Sequence, residues 1–256
     1  MTRRVTLLTD FGTADGSAAA MAGVIAAAAP EAVVDHASHA VPHGDVRAAA
    51  LALARYAFLY PEGTVHVVVV DPGVGTDRRP LVAATNGRFF VAPDNGVLSR
   101  VLDDDAAVSI VRVEEPTPGR TSTTFHGRDV FAPAAARLLL GEPLEGLGPP
   151  VSEIIRLALP SPTRSRDRVT GEVVQVDRFG NLISNIPADW LPPVGSGCVR
   201  VAGTDVGPLR RTYGDVESGE RVALVGSIDV LEVSVRDGSA AAHLGVGRGA
   251  AVTVEL

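Results

Sequence analysis

The stretch that decides the fold is V-H-V-V-V-V-D-P-G-V-G-T-D-R-R, residues 65–79. Its first half is almost continuously apolar, which is typical of a parallel strand buried on both faces of a sheet. Its second half begins at Asp71 and runs through two glycines to Arg78 and Arg79. The stretch therefore predicts a central strand followed by a polar loop at the carboxyl edge of a sheet, where ligands bind in open α/β folds.

Strand-like and helix-like patterns alternate around this stretch. Strands are predicted at Val5–Thr9, Ala32–Asp35, Leu81–Ala84, Arg88–Val91 and Val108–Val113. Helices are predicted at Ser17–Ala29, at Asp45–Tyr60 with Asp45 as the capping residue, and at Gly127–Leu140. Because strands that alternate with helices imply crossover connections, the first half is predicted to be an α/β domain with a mostly parallel central sheet between helices.

The amino-acid composition changes after the third predicted helix. Residues 141–168 are rich in Pro, Gly, Ser and charge, which predicts a linker. Short strands with turn signals between them follow at Val169–Val176, Gly197–Val201, Arg221–Val225 and Val230–Val235. They indicate a small antiparallel barrel or sandwich, so the predicted domains are residues 1–160 and 161–256.

Composition excludes several classes of chemistry. The 256 residues carry a formal net charge of −7, and all 23 basic residues are Arg because the sequence has no Lys. Schiff-base and pyridoxal-phosphate enzymes and Walker phosphate loops each need a Lys, so these classes are excluded. The acidic balance and the scattered Arg residues also argue against a nucleic-acid partner.

Cysteine content and hydropathy bear on location. A single Cys198 cannot form an intramolecular disulfide, and there is no Cys pair for a structural zinc site. The apolar run before Asp10 is too short for a signal-peptide core, and the most apolar windows, such as 46–60, fall short of the roughly 20 residues of a membrane span. We therefore expect a cytoplasmic protein without a membrane partner.

Two carboxylates directly follow predicted strands. Asp10 stands in L-L-T-D-F-G, and Asp71 follows the V-V-V-V run. A turn or helix-cap role explains either residue alone, but two such residues at the carboxyl edge of one sheet favour a ligand site. Arg78 or Arg79 is predicted to fold back toward Asp71 and to favour its ionised form.

The histidines divide into two groups. The spacing H-x-x-H-x-x-x-H at His36, His39 and His43 superficially suggests metal, but the segment has no Cys, so structural or helix-entry roles are favoured. His126 stands in T-S-T-T-F-H-G-R-D-V-F at the start of a predicted helix. Its imidazole is placed either to face the same crevice as Asp71 or to cap and pack the helix. No metal is predicted.

A second polar cluster lies in the second half of the chain. In V-D-R-F-G-N-L-I-S-N-I, Asp177, Phe179 and Asn181 surround one glycine. An aromatic face with an amide suits a purine, whereas a β-turn explains the same residues and is favoured when the motif is taken alone. Ser227 and Glu232 in V-G-S-I-D-V-L-E complete the polar set.

Taken together, seven motifs resemble those of the S-adenosyl-L-methionine (SAM) hydrolases (adenosine-forming), also called hydroxide adenosyltransferases. They are L-L-T-D-F-G, S-H-A-V-P with D-V-R-A-A-A, V-V-D-P-G-V-G-T-D-R-R, A-P-D-N-G, F-H-G-R-D-V-F-A-P, V-D-R-F-G-N-L-I-S-N-I and G-S-I-D-V-L-E. They occur in order over nearly the whole chain, and the ordered set is specific although each motif alone is weak. The fluorinase and the chlorinase, which use halide in place of water, share this fold.

The resemblance implies an N-terminal α/β domain, a C-terminal β-barrel domain and a homotrimer. In that trimer the active sites lie where the first domain of one subunit meets the second domain of a neighbour. Asp10 is implied to hold the ribose hydroxyls. Asp71, Arg78 and His126 are implied to form the family's water-activating triad.

The resemblance also implies roles for the second cluster. Asn181 reads the adenine, with Phe179 packed nearby, and Asp177 takes the ammonium group of the substrate. The rest of the implied ligand shell is Ser227, Glu232 and the backbone of Ala240.

Two positions bear on the choice between water and halide. In the halogenating relatives an uncharged side chain replaces Asp71, and the fluorinase has Ser where this sequence has Gly127. Water is therefore the implied nucleophile. One departure is R-D-G-S-A-A, where relatives often carry an N-Q-G-N-A-A-like stretch, and Ser239 puts side-chain contacts to adenine there in doubt.

The implied reaction is an in-line displacement at the ribose C5′ by water, with neutral methionine as leaving group and no metal or cofactor. Arg78 stays charged and orients Asp71, and either His126 or Asp71 takes the proton of the water. Alternatives are a halogenase that forms a 5′-halo-adenosine and a non-catalytic adenosine- or SAM-binding protein. The sequence leaves the sulfonium epimer open.

Overall fold

The computed structural model describes residues 3–102, 108–114 and 121–256. The chain divides into two units, residues 1–157 and residues 158–256, and each unit has its own hydrophobic core. The first unit is an α/β domain, and the second is an antiparallel, nearly closed barrel. The predicted fold class is confirmed in both halves.

The first unit is built on a six-stranded mixed sheet with the order β2-β1-β3-β5-β4-β6. Its pairs β1–β2, β1–β3 and β3–β5 are parallel, whereas β4 pairs antiparallel with both β5 and β6. The strands are β1 (Arg4–Thr9), β2 (Val33–Ser38), β3 (Val65–Val69), β4 (Pro80–Thr85), β5 (Arg88–Pro93) and β6 (Ser109–Arg112). The predicted strand at Val65–Val70 is therefore in the middle of the sheet.

The antiparallel β4–β5 pair has a local cause. Only Asn86 and Gly87 separate the two strands, and their φ angles are 47° and 69°. Two consecutive residues with positive φ form the tight hairpin turn that an Asn-Gly pair favours. These two strands are therefore joined by a hairpin, which makes this part of the mostly parallel sheet antiparallel.

Helices cover both faces of the first sheet. They are α1 (Ser17–Ala28), α2 (Val46–Tyr56), α3 (Ser99–Leu102) and α4 (Ala132–Leu139). The cluster on one face joins α1 and α4 to the sheet through side chains such as Met21, Ile25 and Leu138. The cluster on the other face joins α2 and α3 through Leu53 and Leu102. All five residues of β3 are buried because both layers cover it.

Helix boundaries differ from the predicted ones at two places. Asp45 caps α2 as predicted, because its side chain accepts from the Ala48 N–H at 3.0 Å. The helix ends at Tyr56 and a short 3₁₀ turn continues to Leu59. The predicted helix Gly127–Leu140 begins with a π-helical turn at Gly127–Phe131, after which α4 follows.

The segment predicted as a linker is partly structured within the first unit. Leu144 and Leu147 lie in a 3₁₀ turn and are buried in the first core. Leu157 N–H then donates to Ser99 Oγ at 2.8 Å. The prediction of a linker from residue 141 was wrong, because Pro and Gly at 141–150 shape a turn whose leucines pack inward.

The second unit is an eight-stranded antiparallel sheet. Its order is β11-β10-β14-β8-β9-β13-β12, with β7 paired to β8. Strand β11 lies against β12, and Arg210 N–H donates to Ala223 O at 2.7 Å, which nearly closes the barrel. The strands are β7 (Thr163–Arg164), β8 (Arg168–Val176), β9 (Leu182–Pro187), β10 (Cys198–Val201), β11 (Thr204–Gly207), β12 (Arg221–Val225), β13 (Val230–Val235) and β14 (Ala251–Glu255). A short helix, α5 (Ala240–Leu244), precedes β14.

None of the helices in the described parts of the chain has the length and apolar character needed to cross a bilayer.

His66 on β3 makes the first core sensitive to acid. It is fully buried, its Nδ1 lies 2.9 Å from Thr6 Oγ1, and it stacks on Phe90. Burial lowers the pKa of His66 to about 4. Since the unfolded pKa is about 6.5, stability from the neutral ring is fully present above pH 6.5 and is lost as pH falls toward 4.

We expect the free energy of unfolding in urea to fall by about 3 kcal/mol between pH 7 and pH 4 through His66 alone. His66→Phe should reduce this acid sensitivity because an apolar ring cannot bind the proton. The matched control is His243→Phe, which removes an exposed histidine. Equal acid sensitivity of the two variants would contradict the assignment to His66.

Candidate active site

The carboxyl edge of the first sheet brings together Asp10 and Asp71. Strands β1 and β3 pair in parallel with Thr9 beside Val69, so the residues after both strands emerge at the same edge. Both carboxylates line a cavity of about 310 Å³. The other lining residues include Phe11, His43, Val74, Phe125, His126 and Gly127. The cavity is thus lined by both carboxylates and aromatic rings, and Phe11 and Phe125 pack edge to face with their centres 5.8 Å apart.

Asp10 is held from the loop that follows β2. Gly44 N–H donates to Asp10 Oδ2 at 2.8 Å, and His43 Nδ1 lies 3.4 Å from the same oxygen. The Asp10 side chain is 7% exposed, whereas that of His43 is 98% exposed. A carboxylate fixed through one oxygen keeps acceptor capacity on the other, which suits a pair of hydroxyl donors.

The loop that carries Asp10 is also hydrogen-bonded behind the cavity. Thr9 Oγ1 accepts from Phe11 N–H at 3.2 Å and lies 2.8 Å from His39 Nδ1. Gly12 N–H donates to His39 O at 2.8 Å, and His36 Nδ1 is 2.7 Å from His39 Nε2. Burial and the neighbouring His36 lower the pKa of His39. These two histidines thus serve the packing of the loop, the role that the sequence favoured over metal binding.

Arg78 folds back on Asp71, as predicted for one member of the Arg pair. Its Nε donates to Asp71 Oδ2 at 2.9 Å and its Nη2 donates to the same oxygen at 2.5 Å. The two side chains are only 7% and 5% exposed. Arg79 turns the other way and pairs with Asp94. A buried, forked ion pair of this kind fixes the carboxylate in position.

Arg78 also contacts His126. Its Nη2 lies 2.7 Å from His126 Nδ1, and its guanidinium carbon lies 5.3 Å from the centre of the Phe131 ring. Arg78 therefore contacts both Asp71 and His126 and links the two side chains. Asp71 and His126 also line the same cavity.

His126 is positioned by the start of a helix. The π-helical turn at Gly127–Phe131 follows it directly, and such turns are frequent at functional sites. Asp129 in this turn accepts from Ser122 N–H at 2.8 Å, which ties down the segment leading into His126. A hydrogen bond from Arg128 lowers the pKa of Asp129, so this anchor stays ionised.

Gly75 lets the 71–78 loop approach the segment before His126. Its φ is 79°, and a Cβ there would lie 2.5 Å from the Thr123 carbonyl oxygen. Gly63 has a φ of 80° with nothing within 4 Å of its Cβ position, so Gly63→Ala carries the backbone strain without the clash.

We expect Gly75→Ala to lower the free energy of unfolding in urea by about 1–3 kcal/mol more than Gly63→Ala does, because the loop must move away from Thr123. Equal losses in the two variants would show that the close approach does not matter for stability.

In the second unit, the predicted turn and the predicted ligand residues coincide. Asp177 Oδ1 accepts from the N–H groups of Phe179 and Asn181, each at 2.9 Å, and Asp177 Oδ2 accepts from Asn181 Nδ2 at 2.9 Å. Phe179 is 76% exposed, whereas Asn181 is buried. The motif is therefore the Asx-type turn that residue statistics favour, and it presents one aromatic ring outward.

The start of α5 packs on this turn. Ala241 N–H donates to Gly180 O at 2.9 Å, and a Cβ on Gly180 would lie 2.0 Å from Ser239 Oγ. Ser239 caps the helix by accepting from Ala242 N–H at 3.1 Å, and Ala240 is fully buried. Ser239 is thus used inside the unit, in keeping with the doubt that the sequence raised about its side chain.

Glu232 has a phenol partner that the sequence did not reveal. Tyr213 Oη donates to Glu232 Oε1 at 2.6 Å, and Ser234 Oγ donates to the same oxygen at 2.9 Å. Burial and Glu232 raise the pKa of Tyr213 to about 12, with a contribution from the charge of Asp177. Ser227 is exposed in the turn between β12 and β13. No signal around Tyr213 in R-R-T-Y-G-D marks it as a neighbour of Glu232.

Two family models match the chain. Residues 5–148 match the SAM hydroxide adenosyltransferase N-terminal domain, and residues 171–253 match the SAM hydroxide adenosyltransferase C-terminal domain. The chain belongs to the SAM hydroxide adenosyltransferase family. The resemblance inferred from the seven motifs is therefore confirmed.

Relatives within and near the SAM hydroxide adenosyltransferases agree with this membership. The (R)-S-adenosyl-L-methionine hydrolase of Thermus thermophilus is 44% identical, with 96% of this chain and 97% of the relative covered. A crystal structure of an uncharacterized conserved protein from Thermotoga maritima has a TM-score of 0.92 at 35% identity, with 98% and 99% covered. The fluorinase of Actinopolyspora mzabensis is more distant, at 27% identity over 98% of this chain and 96% of the relative.

Proposed function

We propose that this protein hydrolyses SAM to adenosine and L-methionine with Asp71, Arg78 and His126 as its catalytic residues. The observation that carries the proposal is the unbroken contact between these three side chains at a cavity that also contains Asp10. The name of the T. thermophilus relative, (R)-S-adenosyl-L-methionine hydrolase, supports this activity and makes the (R) sulfonium epimer the proposed substrate.

In the proposed mechanism, Asp10 binds the ribose hydroxyls and places C5′ next to Asp71. A water molecule attacks C5′ in line with the bond to sulfur, and the leaving group is a neutral thioether that needs no acid. Arg78 orients Asp71 and stabilises developing hydroxide character in the buried pair. No metal and no cofactor take part in this scheme.

The cavity favours water over halide. Asp71 places a carboxylate on the cavity wall, which repels an anionic nucleophile. A Cβ on Gly127 would lie 3.0 Å from Met21 Sδ and 3.3 Å from the Phe125 ring, so a serine at this position would have to displace neighbours. The chain thus has neither the uncharged residue nor the hydroxyl associated with halide use.

The second unit is proposed to supply the remaining substrate contacts. Asn181 would read the adenine and Phe179 would stack nearby, consistent with its exposed ring. Asp177 would take the ammonium group. The other proposed contacts are Ser227, Glu232 and the backbone of Ala240.

We further propose a homotrimer in which the first unit of one subunit meets the second unit of a neighbour, and a cytoplasmic location consistent with the single Cys198. Light scattering coupled to size exclusion tests the trimer, since a mass three times the 26.4 kDa of the chain is expected. A monomeric mass in an active sample would contradict it.

The decisive experiment is incubation with each SAM epimer in ¹⁸O-labelled water containing chloride, followed by mass spectrometry of the products. We expect methionine and adenosine labelled with ¹⁸O at the 5′-hydroxyl, from the (R) epimer. A 5′-chloro-adenosine would instead indicate a halogenase. Tight binding of SAM without turnover would indicate a binding protein and would contradict the proposed activity.

A further inference from the structure

The hydrogen bonds that Arg78 makes determine which tautomer His126 adopts. A guanidinium has five N–H groups and no acceptor. Nε of Arg78 donates to Asp71, and Nη2 donates to both Asp71 and His126. Nη1 is buried and has no hydrogen-bond partner among the described residues, and the guanidinium packs over the Phe131 ring. Since Arg78 can only donate, His126 Nδ1 must accept.

The proton of neutral His126 is therefore on Nε2. A hydrogen on Nδ1 would point at a guanidinium hydrogen across 2.7 Å, next to a permanent positive charge. Turning the ring over would present Cδ2–H to Arg78 and lose the contact. The geometry thus fixes both the orientation and the tautomer of the ring.

A ring in this state is a donor to the nucleophile and not a base. Its one lone pair on nitrogen is occupied by Arg78, so a proton from water can be taken up only if that contact breaks. The other candidate base is Asp71, whose Oδ2 accepts two hydrogen bonds from Arg78. Asp71 Oδ1 accepts only the longer Nε branch, at 3.1 Å, among the described residues, and so retains acceptor capacity.

We propose that Asp71 accepts the proton of the attacking water and that His126 donates a hydrogen bond from Nε2 to the oxygen of that water. This inference rests on the proposed hydrolase function and assigns the proton transfer within it. It decides between Asp71 and His126 as the proton acceptor, a choice that the sequence left open.

The step balances as follows. A lone pair of the water oxygen forms the O–C5′ bond, and the C5′–S bond breaks with its electron pair moving to sulfur, which becomes a neutral thioether. One water hydrogen stays on the new 5′-hydroxyl, and the other passes to Asp71, which later releases it to solvent. Free water is a very weak acid, but its oxygen becomes strongly acidic as the bond to carbon forms, so a carboxylate is a sufficient base at that stage.

The tautomer can be measured without turnover. We would record long-range ¹H–¹⁵N correlations of the protein labelled with ¹⁵N-histidine and assign the His126 signals by their loss in His126→Gln. The expected pattern is an unprotonated Nδ1 with a protonated Nε2. A protonated Nδ1, as the other tautomer or as imidazolium, would overturn the proposal.

Kinetics give a second test. The amide of Gln reaches the Nε2 position and can donate, but it cannot take a proton, whereas the shorter Asn reaches only the Nδ1 position. We expect kcat of His126→Gln to stay within about tenfold of the native value, and His126→Asn and His126→Ala to lose about 10²-fold. Equal losses in all three variants, with their folds verified by circular dichroism, would contradict the role of His126 as a hydrogen-bond donor.

The two tests separate the failure of this inference from failure of the proposed function. If the native protein releases no adenosine from either SAM epimer, the hydrolase proposal fails, whatever the tautomer. If the native protein is active but Nδ1 carries the proton, the hydrolase proposal stands and the assignment of His126 as donor is overturned.

Discussion

Asp71→Asn is expected to lower kcat for SAM hydrolysis by about 10²–10⁴-fold. The amide keeps the shape of the side chain and can still accept from Arg78, but it cannot take the proton of the attacking water. Substrate binding should change much less, because Asp10 and the second cluster remain intact. Single-turnover release of adenosine at saturating SAM measures the chemical step directly.

The matched control for this experiment is Asp77→Asn. Asp77 lies in the same loop, is exposed, and its replacement removes the same charge. We expect its kcat to stay close to the native value. An Asp71→Asn enzyme that keeps more than about a tenth of the native kcat would rule out Asp71 as the proton acceptor.

Arg78→Met is expected to have the largest effect on stability. It leaves the 5%-exposed carboxylate of Asp71 without its buried partner, and breaking such a pair from one side costs about 3–5 kcal/mol. Urea unfolding at neutral pH measures this loss. The variant should also lack hydrolase activity because neither Asp71 nor His126 is held in place.

Two further proteins complete the experiment on Arg78. Arg100→Met removes an exposed arginine from α3 and should change the free energy of unfolding by less than about 0.5 kcal/mol. The double variant Asp71→Asn, Arg78→Met should recover part of the stability, because no buried charge is left, while staying inactive. A loss below about 1 kcal/mol in Arg78→Met would mean that the pair is not buried in solution.

Much of the fold could be predicted from the sequence because the hydrophobic periods are strong. The continuous apolar run of β3 requires cover on both faces, and Asp45 caps a helix by local chemistry alone. The antiparallel β4–β5 hairpin was not predicted although Asn86-Gly87 favours it, because apolar periodicity alone does not give the direction in which two strands pair. The buried turn at Leu144–Leu147 was missed because local composition does not report which leucines meet the core.

The part of the site that lies at the ends of strands could be predicted from the sequence. Asp10 and Asp71 meet because parallel neighbours end at one edge, and this follows once the sheet is known. The residue pattern alone left Arg78 and Arg79 open as the partner of Asp71, because the choice depends on which side chain turns inward, and only the family resemblance implied Arg78. The contact between Tyr213 and Glu232 joins residues from a loop and a strand, which only the tertiary fold brings together.

The π-helical turn at Gly127–Phe131 fits one extra residue into the start of the active-site helix. Ala132 N–H donates to Gly127 O, five residues back, so the turn holds one residue more than an α-helical turn. Because the extra residue is contained within a single turn, deleting one residue there would restore α geometry while His126 keeps nearly the same orientation relative to α4. The contact between Arg78 and His126 would then survive the deletion. The turn can therefore absorb a change in length of one residue without moving the imidazole out of the site.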